Sequence, residues 1–421
     1  KYKVMANIKQ KTTKSKKLQK SIYLDYASNT PVDTEVLAVI NKASGVYFGN
    51  PSALYKEGVL AKEALSLARK DVAKVFDVHS DEIIFCGSGT ESNNMALAGV
   101  IEGYLLKSED KTKNPHVIIS AIEHSSLIEP VQFLRSTGIN VTIVPVDKEG
   151  IVDPKSVREA LTKDTVFVSV MYANNEIGTI QPISEIAKAI RHFKKTNALT
   201  GPYPIFHTDA TQAINYLPLR VPPLGVDMLT CNGSKIYGPK GMGMLYKKRG
   251  IPFSSMLKGG DQEFGFRPGT ENTPGILGFT HALLLAEKIK EKEVKRLTTL
   301  RDFLISEVKK EFPGIELNGH ETLRLPNNIN FTFHGIESDA LVIGLDAKGV
   351  RVSSKSACKI GDEHASHVIM ALSKKNSPED GSLRITLGRQ TEKKDMVYFV
   401  RMLKEVVDLA NQSITILNKS R

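Results

Sequence analysis

The chain contains 421 residues, of which 41% are hydrophobic and 24% are charged. These proportions are those of a globular protein and exclude the disordered and fibrous classes, while the length allows two or three domains. The net charge of +11 comes mostly from residues 1–20, which contain eight lysines and no acidic residue. Because the rest of the chain is nearly balanced in charge, a protein that binds nucleic acid through this basic tail is the weaker hypothesis.

The tail and the cysteines indicate the compartment. We expect residues 1–20 to be a solvated, disordered extension; a remnant of a targeting segment is the alternative, although the tail has no arginine and no apolar core. The three cysteines, an odd number in a long chain, argue against a disulfide framework and for a reducing compartment. We therefore expect the cytoplasm, or an organelle if the tail is such a remnant. No apolar run approaches the eighteen or so residues of a membrane-spanning helix, so no membrane partner is expected.

Short apolar runs alternate with amphipathic stretches between about residues 58 and 250. Their nearly continuous apolar character is typical of strands that are buried on both faces of a mainly parallel sheet. The predicted strands are Glu82–Cys86, His116–Ser120, Val141–Val146, Val166–Met171, Ile205–Asp209, Met228–Cys231 and Met242–Tyr246. This pattern predicts an α/β domain.

The remainder of the chain predicts a second, smaller domain. Gly275–Phe312 has the pattern of a long connecting helix, and strands are predicted near Asn328–Phe333, Val350–Ser354 and Leu383–Thr386. Apolar residues at helical spacing between Met396 and Ala410 predict a closing helix. We divide the chain into the tail (1–20), an N-terminal segment packed with the small domain (21–33), a large domain (34–285) and a small α+β domain (286–421), with a cleft between the two domains.

Three motifs follow predicted strands, at the positions where α/β sheets bind ligands. The first is Gly87-Ser88-Gly89-Thr90 before a helix. Backbone N–H groups at such a junction bind phosphate, although a structural turn has the same composition. In the second, Asp209 would either pair with a pyridinium nitrogen or cap a helix. In the third, Lys235 lies just before a glycine-rich turn, in a position suited to forming a Schiff base.

Together these motifs resemble those of the pyridoxal-phosphate-dependent cysteine desulfurases, which have the class V aminotransferase fold. The resemblance extends from Tyr23 to the last predicted helix. It includes Gly49-Asn50-Pro51-Ser52, Glu123-His124, Asn174-Asn175-Glu176-Ile177-Gly178, Arg267-Pro268-Gly269-Thr270-Glu271-Asn272, Ser353–Cys358 and Leu383–Arg389. It implies pyridoxal 5′-phosphate as cofactor and the type I fold of pyridoxal-phosphate-dependent transferases. In that fold a large domain with a mainly parallel seven-stranded sheet carries a smaller α+β domain.

The resemblance implies which residues hold the reactive part of the cofactor. Lys235 would hold it through a Schiff base, Asp209 would pair with the ring nitrogen, and Gln212 would reach the ring hydroxyl. His124 would stack on the ring and transfer a proton. Lys235 and His124 are therefore predicted to be catalytic as well as cofactor-binding.

The same resemblance implies which residues contact the phosphate and that a second subunit takes part. Gly89, Thr90, Asn232 and Ser234 would surround the phosphate, with serine at 234 where the family usually has histidine; a serine hydroxyl still supplies one hydrogen bond. Thr270 resembles the residue that reaches the phosphate in the other subunit's site. This implies a homodimer with shared active sites.

The substrate would be L-cysteine. Asn175, which also contacts the cofactor in the family, and Arg384 would hold its carboxylate, Arg384 through a bidentate fork that lysine cannot form. Cys358 matches the family's nucleophile, and the flanking Lys355 and Lys359 should lower its pKa below the free value of about 8.5. The expected reaction converts L-cysteine to L-alanine and leaves the sulfur on Cys358 as a persulfide.

Other functions stay open at this point. Selenocysteine lyase is the nearest alternative, because that branch shares the fold and resembles the stretch Phe266–Pro274. A sulfur acceptor, either a scaffold for iron–sulfur assembly or a thiolation relay, is expected but not identified by the sequence. No spacing of cysteines and histidines indicates a metal site.

Overall fold

A seven-stranded sheet organises the first two thirds of the chain in the computed structural model, which describes residues 21–108, 114–354, 366–372 and 380–419. The strand order is β2-β8-β7-β6-β5-β3-β4. The strands are β2 (Ile83–Cys86), β3 (His116–Ser120), β4 (Asn140–Val144), β5 (Thr165–Ser169), β6 (Ile205–Asp209), β7 (Met228–Asn232) and β8 (Gly243–Lys247). Adjacent strands of this sheet are parallel, except that β8 is antiparallel to both of its neighbours, β2 and β7. The predicted mainly parallel α/β sheet is confirmed.

Two layers of helices cover this sheet. They are α1 (Thr34–Val46), α2 (Lys56–Phe76), α3 (Gly89–Lys107), α4 (Ser125–Ser136), α5 (Pro154–Ala160), α6 (Ile183–Thr196) and the short α7 (Val221–Leu224). Side chains alternate between the two faces of each strand, so Ile205 packs into one apolar core while the next residue, Phe206, packs into the other. Burial on both faces explains why the strands read as continuous apolar runs.

A 39-residue helix, α8 (Thr273–Glu311), joins this sheet to the second region. Its first half buries Phe279 and Leu283 against the large-sheet core, whereas its second half buries Leu300 and Leu304 in a separate core. One continuous helix therefore fixes the two regions relative to each other. No described helix is both long enough and apolar enough to cross a bilayer.

The second region contains a three-stranded antiparallel sheet and a two-stranded parallel one. Its elements are β1 (Ile22–Tyr23), β9 (Glu316–Leu317), β10 (Asn328–Phe333), α9 (Ser338–Ala347), β11 (Val350–Arg351), α10 (His367–Ala371), β12 (Gly381–Thr386) and α11 (Lys393–Lys419). The strand predicted over 350–354 ends at Arg351, and Ser353 then forms an isolated bridge with Arg384. β1 pairs with β11, which brings the start of the described chain to this region. The domain boundaries stay a prediction, and the basic tail lies outside the described residues.

Candidate active site

A cavity of about 190 Å³ lies at the carboxyl ends of β6 and β7, beside the start of α3. Such an edge of an α/β sheet is the usual place for a ligand. Its lining residues are Ala27, Ser28, Gly89, Thr90, His124, Ser126, Met171, Asn175, Asp209, Thr211, Gln212, Asn232, Lys235 and Arg384. Most of the predicted site residues, from separate stretches of sequence, therefore share one cavity.

Asp209 is a buried carboxylate at the end of β6. Its side chain is held by two donors, the amide of Asn93 at 2.7 Å and the backbone N–H of Thr211 at 2.9 Å. The Asn93 amide also contacts the Ser126 hydroxyl at 2.8 Å. Since the Asn93 and Thr211 donors fix the orientation of the carboxylate, it can offer an acceptor to a cationic ring nitrogen.

Lys235 lies in a single 3₁₀ turn, Gly233–Lys235, directly after β7. Its amine donates a hydrogen bond to the backbone carbonyl of Ser28. The turn itself is held by the Asn232 side chain, which accepts from the Ser234 N–H at 3.1 Å, and by Asn215, which donates to the Lys235 carbonyl at 2.5 Å. The backbone is thus fixed, and the amine reaches into the cavity.

Arg384 is 1% exposed, and most of its guanidinium is already paired. One terminal nitrogen (Nη1) donates to the Asn175 carbonyl at 3.2 Å; the other (Nη2) donates to Asp25 at 2.9 Å and to the Ser28 hydroxyl at 2.6 Å. Its Nε atom is buried and has no partner among the described residues. An unpaired buried donor is costly, so an anionic group brought by a ligand would be favoured here.

The other end of the cavity is formed by the start of α3. A Cβ atom on Gly89 would lie 3.3 Å from the Thr211 hydroxyl and 3.4 Å from the Asn232 Cβ atom, so glycine keeps this corner less crowded. The Thr211 hydroxyl is buried and has no partner among the described residues. Exposed N–H groups and the positive helix end favour a phosphate at this position.

His124 is the N-cap of α4. Its Nδ1 accepts from the Ser126 N–H at 3.1 Å and contacts the Ser126 hydroxyl at 2.8 Å. Because Nδ1 is an acceptor, the neutral ring carries its proton on Nε2.

The preceding residue, Glu123, is fully buried. One of its carboxyl oxygens accepts from the Ser120 hydroxyl at 2.5 Å and from the Met171 N–H at 2.8 Å, and the other has no partner among the described residues. Burial raises the pKa of Glu123 to about 8, and the Asp209 charge adds to this effect.

The remaining predicted residues lie elsewhere. Ser234 does not line the cavity, and its carbonyl accepts from the Thr30 N–H at 3.0 Å. Thr270 is on the surface, away from this chain's cavity. Cys358 lies outside the described residues. The predicted contacts of Ser234 and Thr270 with phosphate therefore stay predictions.

The other two cysteines are buried and free, as predicted for structural residues. Burial raises the pKa of Cys86 to about 12 and also raises the pKa of Cys231, so neither is a thiolate at neutral pH.

Several residues of this site were not predicted, among them Asn93, Ser28 and the cavity-lining Ser126 and Thr211. Asn93 lies near the start of α3. It follows Thr90 by about one helical turn and so lies on the same face of the helix, which could have indicated that it also belongs to the site. Ser28 contacts both Lys235 and Arg384, but it precedes them by more than 200 residues and follows no recognisable motif.

The residues present fit pyridoxal phosphate. The cavity contains a buried carboxylate, an amine, a guanidinium, and a helix start beside a hydroxyl; within the described part of the chain, one donor of the guanidinium and this hydroxyl have no partner. These groups complement a ring nitrogen, an aldehyde, a substrate carboxylate and a phosphate, respectively. The site therefore contains a protein group for every polar end of the cofactor and its amino acid.

Comparisons with known proteins give the family. The model of the aminotransferase class-V family matches residues 22–399. Cysteine desulfurase IscS of Dictyoglomus turgidum is 42% identical over 391 residues, which cover 93% of this chain and 95% of the relative.

Solved structures agree with this match. A NifS-like protein superposes with a TM-score of 0.83 at 30% identity and covers 92% of this chain and 100% of its own. A structure described as SspA in complex with cysteine has a TM-score of 0.74 at 30% identity and covers 87% and 99%. The resemblance found in the motifs is confirmed: the chain belongs to the class-V aminotransferase family, in the branch of the pyridoxal-phosphate-dependent cysteine desulfurases.

Proposed function

We propose that this cysteine desulfurase takes sulfur from L-cysteine in the cavity at the ends of β6 and β7 and releases L-alanine. One observation carries the proposal. Lys235, Asp209 and Arg384, which come from three different parts of the sequence, all line that cavity. An amine, a carboxylate and a buried guanidinium are the groups required to hold an aldehyde, a ring nitrogen and an amino-acid carboxylate.

The chain's residues divide the work as follows. Pyridoxal phosphate, when bound, supplies an aldehyde that condenses with amines and a ring that accepts electrons from the substrate's α-carbon. Asp209 would keep the ring nitrogen protonated, and the N–H groups at the start of α3 would hold the phosphate. Lys235, through Nζ, would bind the aldehyde and later take the α-proton.

Arg384 and Asn175 would orient the substrate. The Nε of Arg384, which has no partner among the described residues, belongs to a guanidinium that the Asp25 carboxylate and the Asn175 carbonyl already hold in place. Binding of a carboxylate there would cost little side-chain entropy of Arg384, because the guanidinium is already fixed before the substrate arrives. His124 would pass a proton between its Nε2 and the substrate sulfur.

Sulfur transfer itself is proposed for Cys358. Its thiolate would form an S–S bond to the substrate sulfur while the Cβ–Sγ bond of the substrate breaks, so that a persulfide remains on the protein and the carbon skeleton takes up protons to become alanine. The persulfide would then pass to an acceptor protein that serves iron–sulfur assembly or thiolation. We further propose a cytoplasmic homodimer in which Thr270 completes the partner's site.

The test combines two variants of the purified holoenzyme. Cys358→Ala should abolish sulfide release while the yellow cofactor absorbance remains, because the cofactor residues are intact. Lys235→Ala should lose the covalent attachment of the cofactor, measured by borohydride reduction and mass spectrometry. A Lys235→Ala protein that still carries reducibly linked cofactor would contradict the assignment of Lys235. Faster turnover of L-selenocysteine than of L-cysteine, with alanine as the product assayed in both cases, would favour the lyase alternative.

A further inference from the structure

A second and larger cavity lies at the opposite edge of the seven-stranded sheet. This cleft has a volume of about 900 Å³. Phe206 lines it near the start of β6, three residues before Asp209. At about 3.3 Å per residue, the two cavities are roughly 10 Å apart along the strand. The cleft is therefore separate from the active site.

The acidic groups of the cleft already have partners. Asp77 pairs with Arg220 at 2.7 Å. The two oxygens of Glu82 accept from the backbone N–H groups of His79 and Arg249, each at 2.9 Å. Asp227 accepts from the Phe206 N–H at 3.1 Å and pairs with Lys248 at 3.2 Å. Little acceptor capacity is thus left for a ligand.

The donors, in contrast, are available. Arg191 is exposed, its guanidinium has no hydrogen bond or ion pair among the described residues, and it lies across Gly225, where a Cβ atom would come within 2.5 Å of Nη1. Lys194 lies one turn further along α6; its ammonium uses one of three donors, on the Pro202 carbonyl at 2.7 Å. Burial lowers the pKa of Lys194, and a bound anion would offset that effect.

Tyr246 supplies a further donor at the cleft. Most of its side chain is buried, but its hydroxyl, which has no hydrogen-bond partner among the described residues, is not one of the fully buried atoms and opens onto the cleft. Burial and the Glu82 and Asp227 carboxylates raise its pKa, so the hydroxyl remains a donor. A ligand in the cleft can therefore accept a hydrogen bond from it.

The walls of the cleft define the rest of the ligand. Apolar surface comes from Val78, Ile190, Pro204, Phe206, Val221 and Pro222. The volume is at the upper end of the roughly 300–1,000 Å³ that small-molecule sites occupy. Free donors between apolar walls favour a ligand with an anionic, acceptor-only group on a flat or apolar body.

We propose that this cleft is a binding site for an organic phosphate of nucleotide size, whose phosphate contacts Arg191, Lys194 and Tyr246 and whose base packs against the apolar walls. This site is additional to the desulfurase reaction and does not depend on the roles proposed for the active-site residues.

The test is calorimetric titration of the holoenzyme with adenosine 5′-monophosphate, inorganic phosphate and adenosine. We expect the nucleotide to bind with a Kd below about 1 mM and at least tenfold more tightly than either fragment, because both the donors and the apolar walls contribute. If inorganic phosphate binds as tightly as the nucleotide, the base does not pack against the apolar walls and the proposal of a nucleotide-sized ligand is overturned. Absence of saturable nucleotide binding would overturn the proposal.

Variants locate the site. Arg191→Gln should weaken nucleotide binding about tenfold, and Tyr246→Phe about threefold, as expected for the loss of a charged and of a neutral hydrogen bond. Arg191→Lys, which keeps the charge but not the fork, should show an intermediate loss and guards against misfolding of the glutamine variant. Lys188→Gln, on an exposed position of α6 outside the cleft, should bind normally. Unchanged binding in Arg191→Gln would place the nucleotide elsewhere and refute the assignment.

Discussion

Replacing Glu123 by glutamine should remove part of the protein's pH dependence of stability. The pKa of the Glu123 carboxyl rises from its ordinary value of 4.5 to about 8 because burial removes the group from water, and the Asp209 charge adds to this effect. Above pH 4.5 an unfolded chain has released a proton that the folded protein still holds. The stabilisation of the folded state by this retained proton is therefore complete below pH 4.5 and is lost as the pH rises towards about 8.

The size of the effect follows from the two pKa values. Each pH unit between them lowers the free energy of unfolding by about 1.4 kcal/mol. Between about pH 6 and about pH 8 the loss amounts to about 2 kcal/mol, because the folded group itself begins to ionise near the upper limit. Glutamine keeps the oxygen that accepts from Ser120 and Met171 and has no proton to release. Near pH 6 the free energy of unfolding of Glu123→Gln should thus lie within about 1 kcal/mol of the parent's. Between about pH 6 and about pH 8 the difference should shift by about 2 kcal/mol in favour of the variant.

Urea denaturation of the holoenzyme at both pH values measures this difference, since the titration of all other groups cancels between parent and variant. Glu63→Gln, at an exposed position of α2, is the matched control and should show the parent's pH dependence. If Glu123→Gln and the parent lose stability in parallel, Glu123 is already ionised in the folded protein near pH 6 and the reasoning from burial is refuted.

Two further predictions concern the active site. Arg384→Lys should raise the KM for L-cysteine at least tenfold with a smaller change in kcat, because lysine cannot both replace the bonds to Asp25 and Asn175 and offer a further donor. Steady-state alanine formation measures both constants. An unchanged KM would exclude Arg384 from carboxylate binding. Its control is Arg351→Lys, on an exposed ion pair with Asp346. Asn93→Leu should increase the loss of cofactor on dialysis several-fold, because Asp209 loses its 2.7 Å donor; full retention, followed by absorbance, would show that the Thr211 N–H alone is sufficient to orient Asp209.

Local patterns in the sequence were enough to predict the parallel sheet and the residues at its edge. Strands β3 and β6 have the predicted bounds, because a strand buried on both faces must be apolar along its whole length. Asp209 and Lys235 were recognisable because Asp209 ends such a strand and Lys235 lies just after one, and the carboxyl ends of parallel strands meet at one edge. The direction of β8 was not predictable, since an apolar run looks the same in a parallel or an antiparallel neighbour.

Contacts between distant parts of the chain were decided only by the tertiary structure. Ser28 meets Lys235 and Arg384 because β1 joins the second region while its following loop reaches the cavity. The raised pKa of Glu123 depends on complete burial, and the free donors of Arg191 and Tyr246 depend on which acceptors the fold has already used. A sequence specifies which groups are present, whereas their desolvation and pairing depend on which distant residues surround them. Burial and pairing, not residue type alone, therefore determine the chemistry of both cavities.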